Sequence, residues 1–236
     1  MTRPAADAQV SLGVNRLLVV SAGGTAVENC QNLRDALAGI TGTAMNPYVL
    51  RLEPGEYDCE TSTVVMKSHV DLEGSGEGVT RVFGNPTVDS LGVIDLADEM
   101  EIRFVTVEST GGHTAVSATT GESRITNATL ISAGAAVASY GLLAKSSATV
   151  RIAGSSIKGA THGVSLQGTS AATIHRSTVE GPASGGIVME AGTGAVLADS
   201  QLINGFAAAA GAALTCLYSY DGNLAELNAA CSPPPP

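Results

Sequence analysis

Arg103, Arg124, Arg151 and His175 each sit beside an aliphatic residue in a short segment that recurs along the chain. In an extended strand, side chains alternate between faces, so the residues flanking a buried aliphatic point outward together. The four therefore share one flank, with Arg176 in the next column beside His175. A file of guanidinium groups binds carboxylates bidentately and suits uronates or other acidic glycans, which makes these five the candidate ligand-binding residues. The competing reading is a solvated row of cross-strand pairs with neighbours such as Glu101, contributing little energy. Arg176 and Asp199 are expected to form an ion pair near the following turn.

Other chemistry-bearing residues have weaker patterns. Asp95, Asp98, Glu99 and Glu101 are close in sequence, and calcium takes several carboxylate oxygens, so Asp95, Asp98 and Glu99 mark the one place for that ion. Adjacent turn carboxylates usually face solvent instead, and no cofactor is otherwise expected. Thirteen of the 22 carboxylates lie between Glu53 and Glu108, which reads as solvated surface. His113 and His162 stand near turns without a Ser, Cys or carboxylate partner at a diagnostic spacing, and Tyr140 occupies the place aligned with His162. No Gly-x-Ser-x-Gly segment is present. No catalytic residue is assigned.

Cys30, Cys59, Cys216 and Cys231 lie too far apart for a CxxC metal or redox motif. Their spacing suggests two local pairs, Cys30 with Cys59 and Cys216 with Cys231, each pinning one end of the fold. Bonded pairs imply an oxidising, extracellular or cell-surface setting; four buried thiols would imply the cytosol. Met1–Gly13 lacks the charged start, apolar middle and small-residue cleavage site of a secretory signal, so export rests on the cysteines and the fold.

Composition excludes further classes. No apolar run approaches the length of about 18 to 20 residues needed to span a bilayer. A net charge of −10 repels phosphate backbones, and no basic cluster offsets it, so nucleic acid is not an expected partner. Trp is absent and aromatics are 3%, which leaves little for stacking on sugars.

The elements that position the arginine file come from an internal repeat. Glu101–Val107, Arg124–Leu130, Arg151–Ile157, Thr173–Val179 and Val196–Leu202 align without gaps. Their second residues are Ile102, Ile125, Ile152, Ile174 and Leu197, and their seventh are Val107, Leu130, Ile157, Val179 and Leu202. A further apolar column, Val116, Leu142, Val164, Ile187 and Ala212, follows in order. The intervals of 23, 27, 22 and 23 residues fit a leucine-rich repeat or a coil of a parallel β-helix. The regular Leu ladder of the former is missing, and short β-branched stretches between Gly, Ser, Thr and Asn favour the latter. Seven or eight coils fit between Tyr48 and Cys216. An amphipathic helix over residues 28–40, with Cys30, Leu33, Ala36, Leu37 and Ile40 on one face, is expected to cap the first coil. The Ala-rich stretch Phe206–Ala213 either packs against another subunit or fills a narrow corner.

Asn46-Pro-Tyr-Val-Leu-Arg-Leu-Glu-Pro-Gly-Glu-Tyr57, followed by Val70-Asp-Leu-Glu-Gly-Ser-Gly-Glu-Gly-Val-Thr80, resembles the opening of the pectin lyase-like superfamily, particularly its pectinesterase-like branch. The resemblance covers about residues 17 to 84 and implies a single-stranded, right-handed parallel β-helix, all-β apart from a capping helix. Pectinesterases resemble one another further in motifs carrying two catalytic Asp, an Arg and oxyanion-stabilising Gln. Here Gln9, Gln31, Gln167 and Gln201 stand in none of those contexts, and Cys59 replaces the Glu often found two residues after the Tyr.

The chain is thus read as an extension (1–16), a β-helix domain (17–232) and a proline-rich tail or linker start (233–236). The expected function is a non-catalytic extracellular scaffold that binds an acidic polysaccharide or a protein partner. The alternative is a pectinesterase- or pectate-lyase-like enzyme on uronate polymers, and a third reading is a phage tail or fibre component.

Overall fold

The computed structural model describes residues 16–88, 90–134, 138–182 and 185–232. The expected extension, save Arg16, and the proline-rich tail lie outside the described residues. Short β-branched segments broken by Gly, Ser and Asn form strands too brief to pair locally, so each pairs with its counterpart one coil away. Three parallel sheets result: nine strands from Arg16–Val20 to Ala213–Leu217, eight from Gly55–Asp58 to Tyr220–Asp221, and seven from Val64–Val65 to Phe206–Ala208.

The predicted columns superpose. Ile102, Ile125, Ile152, Ile174 and Leu197 are successive Cα partners in the nine-stranded sheet. Val107, Leu130, Ile157, Val179 and Leu202 are partners in the eight-stranded sheet. All ten are buried, and burying one such side chain stabilises by about 1.5 to 3 kcal/mol. The third column differs at its end: Ile187 pairs with Phe206, not Ala212. The turn after Gln201–Ile203 holds only Asn204 and Gly205, so the next strand begins early and Ala212 falls in the following turn.

A file of serines was not anticipated. Ser155, Ser177, Ser200 and Ser219 lie buried at the corner between the nine- and eight-stranded sheets. The Ser177 hydroxyl accepts the Ser155 N–H at 3.1 Å and donates to the His175 carbonyl at 2.8 Å. Ser200 repeats the pattern one coil later, accepting the Ser177 N–H at 3.1 Å. The hydroxyls thereby satisfy amides that the turn removes from the ladder. The residues just before them, Gly154, Arg176 and Asp199, are left-handed, with φ of +60°, +47° and +47°. At Gly154 a Cβ would also stand 2.5 Å from the Asn127 side-chain oxygen.

Both ends are covered. The helix spans Ala26–Gly39, two residues earlier than predicted, because Thr25 caps it: its hydroxyl accepts the Glu28 N–H while the Glu28 carboxylate accepts the Thr25 N–H at 2.8 Å. Cys30, Leu33 and Leu37 face the first coil, and the Cys30–Cys59 disulfide ties the helix to it. Asn29 and Arg34 add hydrogen bonds to the carbonyls of Glu56 and Cys59. At the far end Cys216–Cys231 returns the tail, whose Leu227 N–H donates to the Ser219 carbonyl. Both predicted pairings are present. No described helix is long and apolar enough to cross a membrane. Ala207–Gly211 are exposed on the last strand of the seven-stranded sheet and the turn after it.

Candidate functional site

The outer face of the nine-stranded sheet carries the predicted flank. Register places Arg124 between Glu101 and Arg151, and Thr126 between Arg103 and Ala153, which in turn pairs with His175. Arg103 and Arg124 thus stand in neighbouring columns, with Arg151 beside Arg124 and His175 two coils from Thr126.

Their charges are met differently. Arg103 is gripped by carboxylates: Glu73 at 2.9 Å, Glu101 at 2.8 Å and Asp71 at 3.7 Å. Its side chain is 22% exposed, so these bonds are shielded from solvent, and hydrogen bonds to Glu73 and Glu101 raise its pKa against the opposing effect of burial. Arg151 pairs with Glu122 at 2.8 Å in a more exposed setting. Among the described residues Arg124 has no hydrogen bond or ion pair. The guanidinium groups of Arg103 and Arg151 are thus held by carboxylates, and that of Arg124 is left without a hydrogen bond or ion pair beside an acidic surround.

The expected Arg176–Asp199 pair is replaced. Asp199 sits 2.9 Å from His175 Nε2, and Arg176 Nε donates to His175 Nδ1 at 3.2 Å. Both residues occupy left-handed corner positions one coil apart, which brings the imidazole of His175 between them. His175 and Arg176 are thus committed to each other and to Asp199.

Arg124 borders an open groove of about 550 Å³. Its apolar lining comes from Ala44 and Pro47, in the segment after the helix, and from Met100. The rest of the lining is polar, from His69, Asp71, Asp98, Glu99, Glu101 and Glu122. The size lies within the usual range for small-ligand sites, about 300 to 1,000 Å³.

Local geometry fixes each carboxylate. Asp71 Oδ1 accepts the Glu101 N–H at 2.8 Å, where the backbone ladder between Val70–Glu73 and Met100–Arg103 narrows to two pairs. Burial pushes the Asp71 carboxyl above its ordinary pKa, opposed by that N–H, by Arg103 and, least, by Arg124. Asp98 Oδ1 accepts the Glu122 N–H at 2.7 Å by folding over Gly121, where a Cβ would stand 2.3 Å from the same oxygen. His69 Nδ1 lies 3.1 Å from Glu99 Oε2, and both residues have left-handed backbones, with φ of +59° and +51°.

These contacts separate the acidic run considered for calcium. Asp95 lies on the seven-stranded sheet, where its carboxylate accepts the Ser117 hydroxyl at 2.6 Å; Asp98 is spent on Glu122 and Glu99 on His69. Asp95, Asp98 and Glu99 do not converge, and among the described residues no group of three or more His, Cys, Asp or Glu side chains could hold a metal ion. His162 is half-buried rather than solvent-facing: it packs on Tyr140 with ring centroids 6.1 Å apart, and burial lowers its pKa.

His69 and Asp71 were missed. The signal was available, since Asp71-Leu72-Glu73 repeats the pattern of Glu101-Ile102-Arg103, a buried aliphatic between two outward charges. Extending the alignment one coil earlier would have placed Asp71 beside Glu101.

The family model for the right-handed beta helix region matches residues 93–229, more than half of the chain. The chain belongs to that family. Its β-helix also superposes on solved structures across nearly its full length. A pectin methylesterase from Erwinia chrysanthemi matches with a TM-score of 0.63 at 10% identity, covering 92% of each chain. A pectin methylesterase from carrot matches at 0.56 and 12% identity, covering 91% of this chain and 85% of that one. The catalytic domain of a GH87 alpha-1,3-glucanase matches at 0.58 and 12% identity, covering 94% of this chain and 41% of that one. At these identities the likeness is one of fold, a right-handed parallel β-helix. No curated protein sequence is significantly similar to the chain.

Proposed function

We propose that this protein is an extracellular, non-catalytic carbohydrate-binding β-helix, with the groove beside Arg124 as its glycan site. The observation that carries this reading is a guanidinium without a hydrogen bond or ion pair, lining a groove whose other charged groups, five carboxylates and His69, are already engaged. Carboxylates accept hydrogen bonds from sugar hydroxyls, a guanidinium donates to two oxygens at once, and Ala44 and Pro47 offer a surface for the apolar face of a sugar ring. The similarity of fold to pectin methylesterases and a glucanase is consistent with a carbohydrate ligand. The two disulfides support an oxidising, extracellular setting.

A second reading, glycan hydrolysis or de-esterification, has one observation in its favour: Asp71 holds its proton to higher pH than an ordinary carboxyl and faces the groove beside Glu101. Incubation with methylated and free polygalacturonates and with neutral glucans separates the two. Binding without methanol, reducing ends or unsaturated product, with or without calcium, is the expected outcome. Turnover abolished in Asp71→Asn would replace the first reading by the second.

A further inference from the structure

We infer that the groove selects uncharged glycans and excludes their uronate counterparts, with Arg124 as the anchoring contact. This rests on the carbohydrate-binding reading above and specifies its ligand class. Five carboxylates line the groove, from Asp71, Asp98, Glu99, Glu101 and Glu122, against one guanidinium, Arg124. Adding Arg103 and Arg151, which touch Glu101 and Glu122 from outside the lining, still leaves five negative charges against three positive. An incoming uronate would bring one more negative charge per sugar into this field. It would also compete for guanidinium groups that Glu73, Glu101 and Glu122 already hold at 2.8 to 2.9 Å.

A hydroxyl-bearing sugar meets the opposite situation. Asp71 and Asp98 each use one oxygen on a backbone N–H, at 2.8 and 2.7 Å; the second oxygen of Asp98, and that of Asp71, which lies 3.7 Å from Arg103, retain lone pairs that accept from a hydroxyl. Arg124 has its donors free among the described residues and supplies the complementary donation to ring or hydroxyl oxygens. His69 Nδ1 is held 3.1 Å from Glu99 and is not free to meet an anion.

The experiment is calorimetric titration of the whole protein at neutral pH and low salt with three matched pairs of hexasaccharides. The neutral gluco-, manno- and galacto-oligomers are each compared with the uronate that differs only in oxidation at C6. At least one neutral oligomer is expected to bind tenfold or more tightly than its uronate, and Arg124→Ala is expected to weaken that binding about tenfold, the loss of one good charged contact. Asp98→Asn and Glu99→Gln preserve shape while removing charge, so together they should raise uronate affinity several-fold and narrow the gap. A uronate that binds more tightly than its neutral twin, or a gap unmoved by the charge-removing variants, overturns the selectivity and leaves carbohydrate binding standing. No binding in any pair overturns both.

Discussion

The carboxylate of Asp71 accepts the backbone N–H of Glu101 at 2.8 Å, so a side chain stands where a neighbouring strand would ordinarily present a carbonyl. Because burial raises the Asp71 carboxyl, the folded protein keeps this proton to higher pH than the unfolded chain does. Stability therefore falls as pH rises through the window from the ordinary Asp value upward. Asp71→Asn keeps an oxygen for the Glu101 N–H and removes the buried charge. In urea unfolding the variant should match or exceed the parent at about pH 8, with the difference shrinking toward about pH 4. A variant clearly less stable than the parent at about pH 8, and equal to it at about pH 4, would show that the charge itself is needed.

Arg103 balances Glu73, Glu101 and Asp71 on a half-buried patch. Arg103→Ala removes the cation that Glu73, Glu101 and Asp71 share, leaving only the longer Arg51–Glu73 pair at 3.7 Å, and should cost about 2 to 3 kcal/mol. Arg103→Lys, lacking the fork that reaches Glu73 and Glu101 together, should recover only part of this. Arg151→Ala, whose ion pair is solvent-exposed, should cost about 0 to 1 kcal/mol. Denaturant midpoints of the three variants compare these losses directly.

The repeat made much of this architecture legible from sequence. A strand that is buried on one side and pairs only with its own counterpart must keep an aliphatic at each fixed position, so Ile125, Ile152 and Ile174 announced themselves. The cysteine pairs were legible for a related reason, since each lay within one or two coils of an end. The site was less legible. Arg124 and Arg151 look alike in sequence, yet Glu122 neutralises one and leaves the other free, a difference set by side-chain reach between neighbouring coils. Asp98 and Glu99 are adjacent in sequence, and their side chains part because each finds a different partner across the corner. The third apolar column slipped at Phe206 because turn length, unlike strand spacing, varies from coil to coil.

The serine file makes its own prediction. Ser177→Ala removes the acceptor for the Ser155 N–H and the donor to the His175 carbonyl, both buried, and should cost about 1 to 3 kcal/mol. Ser156→Ala, exposed on a strand face, should be within about 0.5 kcal/mol of the parent. Thermal unfolding of the two variants tests whether the corner hydroxyls are structural.

Tyr57 is buried, with its hydroxyl hydrogen-bonded to the carbonyls of Val20 and Glu53, and burial together with Glu53 pushes the phenol up to about 12. A folded value above the ordinary 10.0 means that stability is retained below that pH and lost as pH rises toward about 12. Absorbance titration should show a tyrosine missing from the ordinary phenol transition, and Tyr57→Phe should abolish its late step at a cost of about 1 to 2 kcal/mol. A Tyr57 that titrates with the exposed tyrosines would contradict its buried placement.

The most direct measurement of the central claim is a crystal structure of the protein soaked with the tightest-binding neutral oligosaccharide. The account predicts sugar density between Pro47 and Arg124, with the guanidinium on sugar oxygens and Asp71 or Asp98 accepting hydroxyls. Density confined to another face, or a saccharide that leaves Arg124 untouched, would contradict it.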